Sequence, residues 1–360
     1  MTAIGILGAG QLGRMLALAG YPLGLRFRFF DPASDSPAGL LAEHWACDYA
    51  DTAALEQFAR GMEVITYEFE NVPVEATSFL ERFVPVYPPP IALEKSQDRF
   101  TEKSFFCQLG IPTSKFTTDL ENGEIDKIGF PAVLKTRRMG YDGKGQAIVE
   151  SNADLKALLK NGNKDEFILE EFTPFERELS IIGVRSKDGE MRFYPLVENY
   201  HREGILRLSL VTGQVSSSLQ KQAEAYCRTA MAALDYVGVL TIEFFEKNGS
   251  LLANEMAPRV HNSGHWTIEG AVTSQFENHL RSVSGFPVGS TQTPGACAMV
   301  NLIGSLPDVK SLLKIEGTHL HLYDKAPRPK RKIGHVTLVQ KDMESLTRKL
   351  ELVKEIVHVP

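Results

Sequence analysis

The stretch Ala3-Ile-Gly-Ile-Leu-Gly-Ala-Gly-Gln-Leu-Gly13 joins a short apolar run to a helical pattern that continues to about residue 20. Glycines directly after an apolar strand permit a tight turn, and they let a ligand approach the helix N-terminus closely. Apolar runs and helical patterns then alternate as far as about residue 90, which predicts a doubly wound parallel sheet. With Asp31 ending the second predicted strand, Gly8, Gly10 and Gly13 also fit a dinucleotide-binding fingerprint, although any doubly wound domain favours glycine at this turn.

The composition is typical of a globular protein with two or three domains. The 360 residues are 43% hydrophobic and carry a formal net charge of −6, so large cores can form and no overall positive charge attracts nucleic acid or an anionic membrane. No run approaches the roughly 18 apolar residues of a membrane span. Four widely spaced cysteines form neither a disulfide framework nor a zinc pattern, which favours a reducing, cytoplasmic compartment.

Prolines and the predicted elements divide the chain into three parts. The run Pro88–Pro90 separates a predicted strand at 84–87 from a predicted helix at 97–109, and it marks a boundary near residue 95. The fold class is therefore α/β followed by α+β. The predicted domains are a Rossmann-like domain over 1–95, a small α+β lid over 96–185 and a larger α+β domain over 186–360.

A basic, glycine-rich loop follows a predicted strand at 132–136. Its sequence, Lys135-Thr-Arg-Arg-Met-Gly-Tyr-Asp-Gly-Lys-Gly-Gln146, contains three glycines and four cations. Glycines let backbone N–H groups point into one concavity, where the cations can neutralise an anion. The loop therefore indicates a phosphate-covering segment, although it lacks the Lys-Ser/Thr ending of a Walker A motif.

An acidic cluster follows the next predicted apolar strand. Glu170, Glu171 and Glu178 could place carboxylates against ribose hydroxyls, and the strand could offer backbone groups to an adenine edge. A solvated strand end paired with Arg177 explains the same pattern equally well. The cluster alone leaves both interpretations open.

Two glutamates lie on β segments joined by a short turn. Glu243 and Glu255 could bind Mg²⁺, which prefers one or two carboxylates together with phosphate oxygens. A two-residue turn at Asn248-Gly249 places Glu243 opposite Asn254 and turns Glu255 to the other face. A longer loop or one bulge would bring the two carboxylates face to face, so a shared metal requires such a departure.

Two further segments are suited to binding anions. The run Pro258-Arg-Val-His-Asn-Ser-Gly-His-Trp266 lacks a packing pattern and is dense in hydrogen-bonding side chains, so it suits an anion with several oxygens such as bicarbonate. Five cations between Lys325 and Lys332 could form a nucleic-acid or nuclear-localisation patch. Two prolines hold that segment extended within an acidic protein, which favours a clamp for one small-molecule phosphate.

Taken in order, several motifs resemble those of the N5-carboxyaminoimidazole ribonucleotide synthetases, ATP-grasp enzymes of bacterial and fungal purine synthesis. The motifs are GAGQLGRM, YEFENV, GYDGKGQ, EEFTPFERELS, the Glu243/Glu255 hairpin, PRVHNSGHWT and YDK…RPKRKIGH, which together run from residue 5 to about 337. The resemblance implies an ATP-grasp fold and typically a homodimer. It also implies that ATP phosphorylates bicarbonate to carboxyphosphate, which carboxylates the amine of aminoimidazole ribonucleotide.

The resemblance also implies roles for particular residues. The ATP phosphates would be contacted by Arg99, Lys135, Gly140, Tyr141, Asp142, Gly143, Lys144, Gly145 and Gln146, with Lys144 also catalytic. The adenine and ribose side would involve Glu170, Glu171, Phe172, Thr173, Glu178, His201 and Asn254. Mg²⁺ or Mn²⁺ would be bound by Glu243 and Glu255. Bicarbonate and the intermediate would be oriented by Arg259, His261, Asn262 and Ser263. The substrate amine would face Tyr141 and Asp142, with Asp142 as candidate base. The ribotide would be held by Lys325, Arg331, Lys332, Gln11, Leu12, Glu68 and Asn71.

This chain departs from the family pattern at two positions, where Met139 and Lys330 stand in place of glycine. Three alternative functions remain from the residues. The first is another ATP-grasp carboxylate–amine ligase, such as the formate-using glycinamide ribonucleotide transformylase or a biotin carboxylase-like enzyme. The second is an NAD(P)-dependent dehydrogenase using the N-terminal glycines and Asp31. The third is a nucleotide-binding module without turnover.

Overall fold

The computed structural model describes residues 2–121, 123–140, 143–160, 163–211, 213 and 215–358. Within these residues the chain forms three β-sheets, each flanked by helices. None of the described helices is both long enough and apolar enough to cross a membrane.

The first unit contains a four-stranded sheet of order β3-β2-β1-β4 in which every pair of neighbours is parallel. The predicted doubly wound parallel sheet is thus confirmed. All four residues of β4 are buried, as expected for a parallel sheet that is covered on both faces. Its elements are β1 (Ala3–Leu7), α1 (Gln11–Gly20), β2 (Arg26–Phe30), β3 (Glu43–Trp45), α2 (Thr52–Ala59), β4 (Val64–Tyr67), α3 (Val74–Leu80) and α4 (Pro90–Ser96).

The strand predicted at 84–87 is wrong. Only Val86 forms a bridge to β4, at Ile65. Ile65 N–H donates to the carbonyl of Pro85, and Tyr87 N–H donates to the carbonyl of Ile65. Because Pro85 and the following prolines have no N–H to donate, the ladder cannot continue in either direction.

The second unit is a small antiparallel sheet of order β5-β8-β6-β7. Its helix α5 begins after Asp98, whose carboxylate accepts from the N–H groups of Phe100 and Thr101. The elements are α5 (Arg99–Gln108), β5 (Phe116–Thr117), α6 (Glu124–Ile128), β6 (Ala132–Thr136), β7 (Gln146–Val149), α7 (Asn152–Leu159) and β8 (Phe167–Glu171).

The third unit is a large antiparallel sheet of order β14-β13-β9-β11-β12-β15-β17-β16, with β10 added to β9. It begins before the boundary predicted at residue 185, and the single strand predicted at 192–199 is two strands. Its elements are β9 (Arg177–Arg185), β10 (Met191–Phe193), β11 (Val197–Arg202), β12 (Ile205–Val211), α8 (Ser217–Ala233), β13 (Gly238–Lys247), β14 (Ser250–Ala257), α9 (Thr267–Gly270), α10 (Gln275–Ser284), β15 (Ala296–Ile303), α11 (Val309–Leu313), β16 (Thr318–Leu322), β17 (Lys332–Gln340) and α12 (Met343–Val357).

A buried histidine connects the first and third units. His279 on α10 accepts the N–H of Val239 at Nδ1 (3.2 Å), so its proton is on Nε2, which lies 2.8 Å from the hydroxyl of Thr66 on β4. The side chain is fully buried. Burial lowers the pKa of His279 to about 4, because no carboxylate offsets the loss of water around the imidazolium.

This histidine should make the protein sensitive to acid. Because the pKa of His279 is lower in the folded protein than in the unfolded chain, the neutral histidine contributes its full stability at pH values above 6.5, the pKa of the unfolded chain. That contribution is lost as the pH falls towards 4. Over that window the loss amounts to about 3 kcal/mol at 1.36 kcal/mol per pH unit. Urea unfolding at pH 7.0 and 4.5 should therefore show a smaller loss of stability in His279→Gln than in the unchanged protein. Parallel losses in the two proteins would contradict this role.

Candidate active site

A cleft of about 850 Å³ opens where the three units meet. It brings together residues that are far apart in the sequence, from the N-terminal glycine turn to the C-terminal basic segment. The sequence-predicted residues that line it are Gln11, Leu12, Asn71, Arg99, Gly140, Gly143, Lys144, Glu243, Glu255, Arg259, His261, Asn262, Lys325, Arg331 and Lys332. Tyr141 and Asp142 lie outside the described residues, so their predicted roles stay predictions.

Glu243 and Glu255 are direct neighbours across the β13–β14 pair. The hairpin keeps the two-residue turn, with positive φ at Asn248 (52°) and Gly249 (70°), as in a type I′ turn. Phe244 pairs with Ala253, and the register then shifts so that Glu243 pairs with Glu255. Asn254 is the extra residue of the bulge. Of the two departures that the sequence allowed, the bulge is therefore the one that occurs.

The facing carboxylates create a site suited to a divalent cation. Burial and the nearby charge of Glu255 raise the pKa of Glu243, whereas the Arg99 guanidinium, 2.9 Å from Glu255, lowers the pKa of Glu255 despite burial. No group of three or more His, Cys, Asp or Glu in the described residues forms a complete metal site. Mg²⁺ is usually bound by one or two protein carboxylates, with phosphate oxygens completing its coordination shell. The pair Glu243 and Glu255 fits that pattern.

Lys135 belongs to a buried ionic group below the glycine-rich loop. Its ammonium lies 2.8 Å from Glu170 Oε2, and the Lys103 ammonium lies 3.2 Å from the same oxygen. Burial alone would raise the pKa of Glu170, but the two lysines outweigh it and bring that pKa to about 2. Glu170 is thus a charged carboxylate that holds a lysine beside the cleft, and its predicted contact with the nucleotide stays a prediction.

Arg259 is held by a carboxylate that sequence reasoning missed. Its Nε donates to Glu70, and its Nη1 donates to the carbonyl of Val260 at 3.0 Å. Burial would raise the pKa of Glu70, but Arg259 offsets this and lowers it to about 2. Glu70 lies within the YEFENV motif and lines the cleft, yet nothing local in the sequence connects it with Arg259. The pair fixes the guanidinium for an anionic ligand.

His261 presents a fixed N–H donor to the cleft. Its Nδ1 accepts the backbone N–H of Ser263 at 3.3 Å, so the proton of the neutral ring is on Nε2. Burial and the neighbouring Arg259 charge lower the pKa of His261 to about 3. Nε2 lies 3.6 Å from Glu243 Oε1. His261 is therefore a hydrogen-bond donor at neutral pH, not a base.

Ser263 does not line the cleft, and its predicted contact with the substrate stays a prediction. It is fully buried, and its hydroxyl lies 2.9 Å from His261 Nδ1. The Ser180 hydroxyl donates to it at 2.9 Å, and the Asn199 amide donates to Ser180 at 2.9 Å. These buried, hydrogen-bonded side chains orient the imidazole through its Nδ1 atom, on the side of the ring away from Nε2.

The N-terminal glycine turn binds a carboxylate of the protein itself. Glu68 is buried and accepts the N–H groups of Gly10 at 2.6 Å and Gly13 at 2.8 Å. Asp31 accepts the N–H of Ala9 at 3.0 Å. A Cβ on Gly10 would meet Glu68 Oε1 at 2.5 Å, which explains this glycine without a cofactor. Because the N–H groups of Ala9, Gly10 and Gly13 are already bonded to carboxylates, they are not available to a dinucleotide pyrophosphate, which argues against the dehydrogenase alternative.

The remaining predicted residues do not line the cleft. Gln146 and Gly145 are exposed at the start of β7, and Thr173 is buried against the hydroxyl of Ser114 at 2.8 Å. His201 lies 2.9 Å from Glu178, and the charges of Glu178 and Glu243 raise its pKa although burial opposes this. Those outside the lining are Glu68, Lys135, Gly145, Gln146, Glu170, Glu171, Phe172, Thr173, Glu178, His201, Asn254 and Ser263.

Matches to protein families cover all three units. The ribonucleotide synthetase preATP-grasp domain matches residues 1–97, the ATP-grasp domain matches 104–276, and the phosphoribosylaminoimidazole carboxylase C-terminal domain matches 297–349. The N5-carboxyaminoimidazole ribonucleotide synthase of Pseudomonas aeruginosa is 50% identical over 358 residues, which cover 98% of this chain and 99% of that protein. The chain belongs to the N5-carboxyaminoimidazole ribonucleotide synthase family.

Solved structures of this synthase family share the fold. The synthetase from Thermus thermophilus is 55% identical and superimposes with a TM-score of 0.94, covering 98% of each chain. The Aspergillus clavatus synthase in complex with ADP and 5-aminoimidazole ribonucleotide is 31% identical, with a TM-score of 0.90 over 99% of this chain and 98% of that one. The predicted ATP-grasp fold and family are confirmed, and the chain is an ATP-dependent ligase whose family reaction carboxylates 5-aminoimidazole ribonucleotide in purine biosynthesis.

Both departures from the synthase family pattern occupy backbone positions that favour glycine. Met139 has φ of 61° and Lys330 has φ of 63°, in the left-handed region. Such a conformation costs a residue with a Cβ roughly 1 kcal/mol. The Lys330 ammonium lies 3.0 Å from the Glu203 carboxylate, and both side chains are exposed. Both residues thus adopt a backbone conformation that glycine adopts without this cost.

The tautomer of His261 provides a direct test of this site. In the metal-free protein at pH 7, ¹⁵N NMR of the side chain should show a protonated Nε2 and a pyridine-type Nδ1, because a backbone N–H can only donate to Nδ1. The His261→Gln variant identifies the resonance. A protonated Nδ1 would contradict the arrangement.

Proposed function

We propose that the chain binds ATP and a divalent cation on one wall of the cleft and 5-aminoimidazole ribonucleotide on the other, and that it transfers a carboxyl group between them. The observation that carries this proposal is the pair Glu243 and Glu255, which face each other in the same cleft as Lys325, Arg331 and Lys332. An acidic pair suits a metal–triphosphate complex, and a basic segment suits a sugar phosphate.

The first step joins bicarbonate to the terminal phosphate of ATP. A bicarbonate oxygen attacks the γ-phosphorus, the bond from that phosphorus to the bridging oxygen breaks, and ADP leaves with the electron pair. Arg259, held by Glu70, and the Nε2–H of His261 would orient the bicarbonate oxygens. Lys135 and Arg99 would bind phosphate oxygens. A divalent cation held by Glu243 and Glu255 would supply neutralisation of phosphate charge.

The second step transfers the carboxyl group. The amine nitrogen of the ribotide attacks the carboxyl carbon of carboxyphosphate, the carbon–oxygen bond to phosphate breaks, and the nitrogen loses a proton. Asp142 stays the predicted base for that proton. On the opposite wall, the Lys325 ammonium donates to Gln11 Oε1, which positions both near the glycine turn for the ribotide. Because carboxyphosphate hydrolyses readily in water, holding both substrates in one enclosed cleft favours transfer over loss.

The direct assay measures ADP release from ATP with bicarbonate and 5-aminoimidazole ribonucleotide. Release should require all three compounds, and the carboxylated ribotide should form in equal amount. Parallel reactions with formate and glycinamide ribonucleotide, or with biotin, should release no ADP above background. Release that depends on formate or biotin but not on aminoimidazole ribonucleotide would contradict the proposal. NADH binding without ATP binding would favour a dehydrogenase instead.

The metal assignment predicts the effect of Glu255→Ala. Turnover should fall about a thousandfold, since loss of the cation removes several kcal/mol of charge stabilisation at the transferring phosphate. The variant should stay folded and lose about 1–3 kcal/mol of unfolding free energy, because it leaves the Arg99 guanidinium without its partner, while removal of the charge that destabilises ionised Glu243 offsets part of that loss. Glu355→Ala on the exposed face of α12 is the matched control and should leave turnover unchanged. Activity close to that of the unchanged protein in Glu255→Ala would remove the metal assignment.

A homodimer and a cytoplasmic location are further proposals. The family resemblance supports the first, and four free cysteines support a reducing compartment. Light scattering after gel filtration tests the assembly, and a mass equal to one chain of 39.9 kDa would contradict a dimer.

A further inference from the structure

Strand β14 lies at the edge of the large sheet, and helix α5 packs against it. Edge strands carry N–H and C=O groups with no partner in the sheet, and a bulge leaves further backbone groups outside the regular ladder. Buried backbone groups of this kind need partners from elsewhere in the fold. For residues 253–256, which span the bulge, the hydrogen-bond partners are on α5 and in the loop that follows α5.

Four consecutive residues at the bulge are held in this way. Ala253 N–H donates to the carbonyl of Pro112 at 2.7 Å, just after α5. The Asn254 carbonyl accepts from the Lys103 ammonium at 3.3 Å. The Glu255 carboxylate accepts from Arg99 at 2.9 Å, and the Met256 N–H donates to Glu102 Oε1 at 2.6 Å. No other segment of the described chain contributes side-chain bonds to all of the last three residues.

The three contacting side chains come from one face of the helix. Arg99, Glu102 and Lys103 are spaced at i, i+3 and i+4, which places them side by side. Glu102 is 2% exposed and Lys103 is 1% exposed, although both are ionisable. Buried ionisable groups are costly, so their presence requires compensating bonds. Glu102 lines the cleft beside Arg99 and Glu255, whereas Lys103 does not, so only Lys103 is separated from direct contact with a ligand there.

We propose that α5 clamps the bulge, with Glu102 and Lys103 as positioning residues that hold the backbone of residues 254–256 and so keep the Glu255 carboxylate opposite Glu243 for the divalent cation. This inference rests on the proposed cation site. The two residues touch the backbone on either side of Glu255, while Arg99 touches its carboxylate. Loss of either backbone contact leaves a buried polar group unpaired, which is unfavourable and which the bulge can relieve only by rearranging.

The test measures Mn²⁺ binding to the protein–ADP complex by electron paramagnetic resonance, independently of turnover. Glu102→Leu and Lys103→Met should weaken Mn²⁺ binding by about tenfold or more, the usual effect of losing a group that orients a metal ligand. Glu102→Gln keeps an acceptor for the Met256 N–H and should bind Mn²⁺ within about threefold of the unchanged protein. Lys115→Met, the same substitution at an exposed lysine, is the matched control and should also leave binding unchanged.

A second measurement separates a positioning role from a direct one. ADP binding by calorimetry in the presence of EDTA should be unchanged in Glu102→Leu, since the helix contact acts through the metal ligand and not through the nucleotide. Equal loss of Mn²⁺ in Glu102→Gln and Glu102→Leu would show Glu102 to be a ligand itself and overturn the clamp. If Mn²⁺ binding is weakened in Lys103→Met but not in Glu102→Leu, Lys103 acts only as a counterion of Glu170, and the clamp is also overturned.

The clamp and the proposed function fail in different ways. If the unchanged protein with ADP binds no Mn²⁺, the proposed cation site is wrong, and the clamp, which depends on that site, is wrong as well. If the unchanged protein binds Mn²⁺ and folded Glu102→Leu and Lys103→Met bind it equally well, only the clamp is wrong. Thermal unfolding identifies variants that fold, and if Lys103→Met does not fold, the Glu102 pair still decides the outcome.

Discussion

Glu243 and Glu255 face each other because β14 contains one more residue than β13 between the turn and this pair. In a regular ladder the side-chain alternation would put Asn254 opposite Glu243 and send the second carboxylate to the other face. Two like charges in a partly buried pair repel each other, and the energy of that repulsion becomes available to a divalent cation that binds both. Arg99 on α5 offsets part of this repulsion through its ion pair with Glu255.

The rest of the cleft also uses paired charges to fix its side chains before a ligand arrives. Arg259 is oriented by Glu70, Lys135 by Glu170, and the Nε2–H of His261 by the backbone of Ser263. Groups fixed in this way need little rearrangement when charge develops on a transferring phosphate. Such preorganised charges and hydrogen-bond donors are the main means by which a protein stabilises a transition state of this kind. The acidic hairpin and the basic C-terminal segment thus line the same cleft with opposite charges.

Local patterns in the sequence predicted the parallel sheet, and they marked the glycine-rich and basic segments whose described residues line the cleft, because each pattern depends on residues close together in the chain. The strand expected at 84–87 failed because Pro85 cannot donate to the ladder. Glu70 and Lys103 were missed because their partners, Arg259 and Glu170, are distant in the sequence. The buried face of α5 did carry a signal, since charged residues at 99, 102 and 103 share one side of a predicted helix. The choice between a bulge and a longer turn required the structure, because both produce the same facing pair.

The central claim is that the bulged hairpin creates a cation site at the nucleotide. Crystals grown with ADP and Mn²⁺ and measured at the manganese edge test it most directly, since anomalous scattering identifies the ion by element. The account predicts an anomalous peak bound by oxygens of both Glu243 and Glu255 and by phosphate oxygens of the nucleotide. Bound ADP with no peak between these carboxylates, or with the two side chains turned apart, would contradict it.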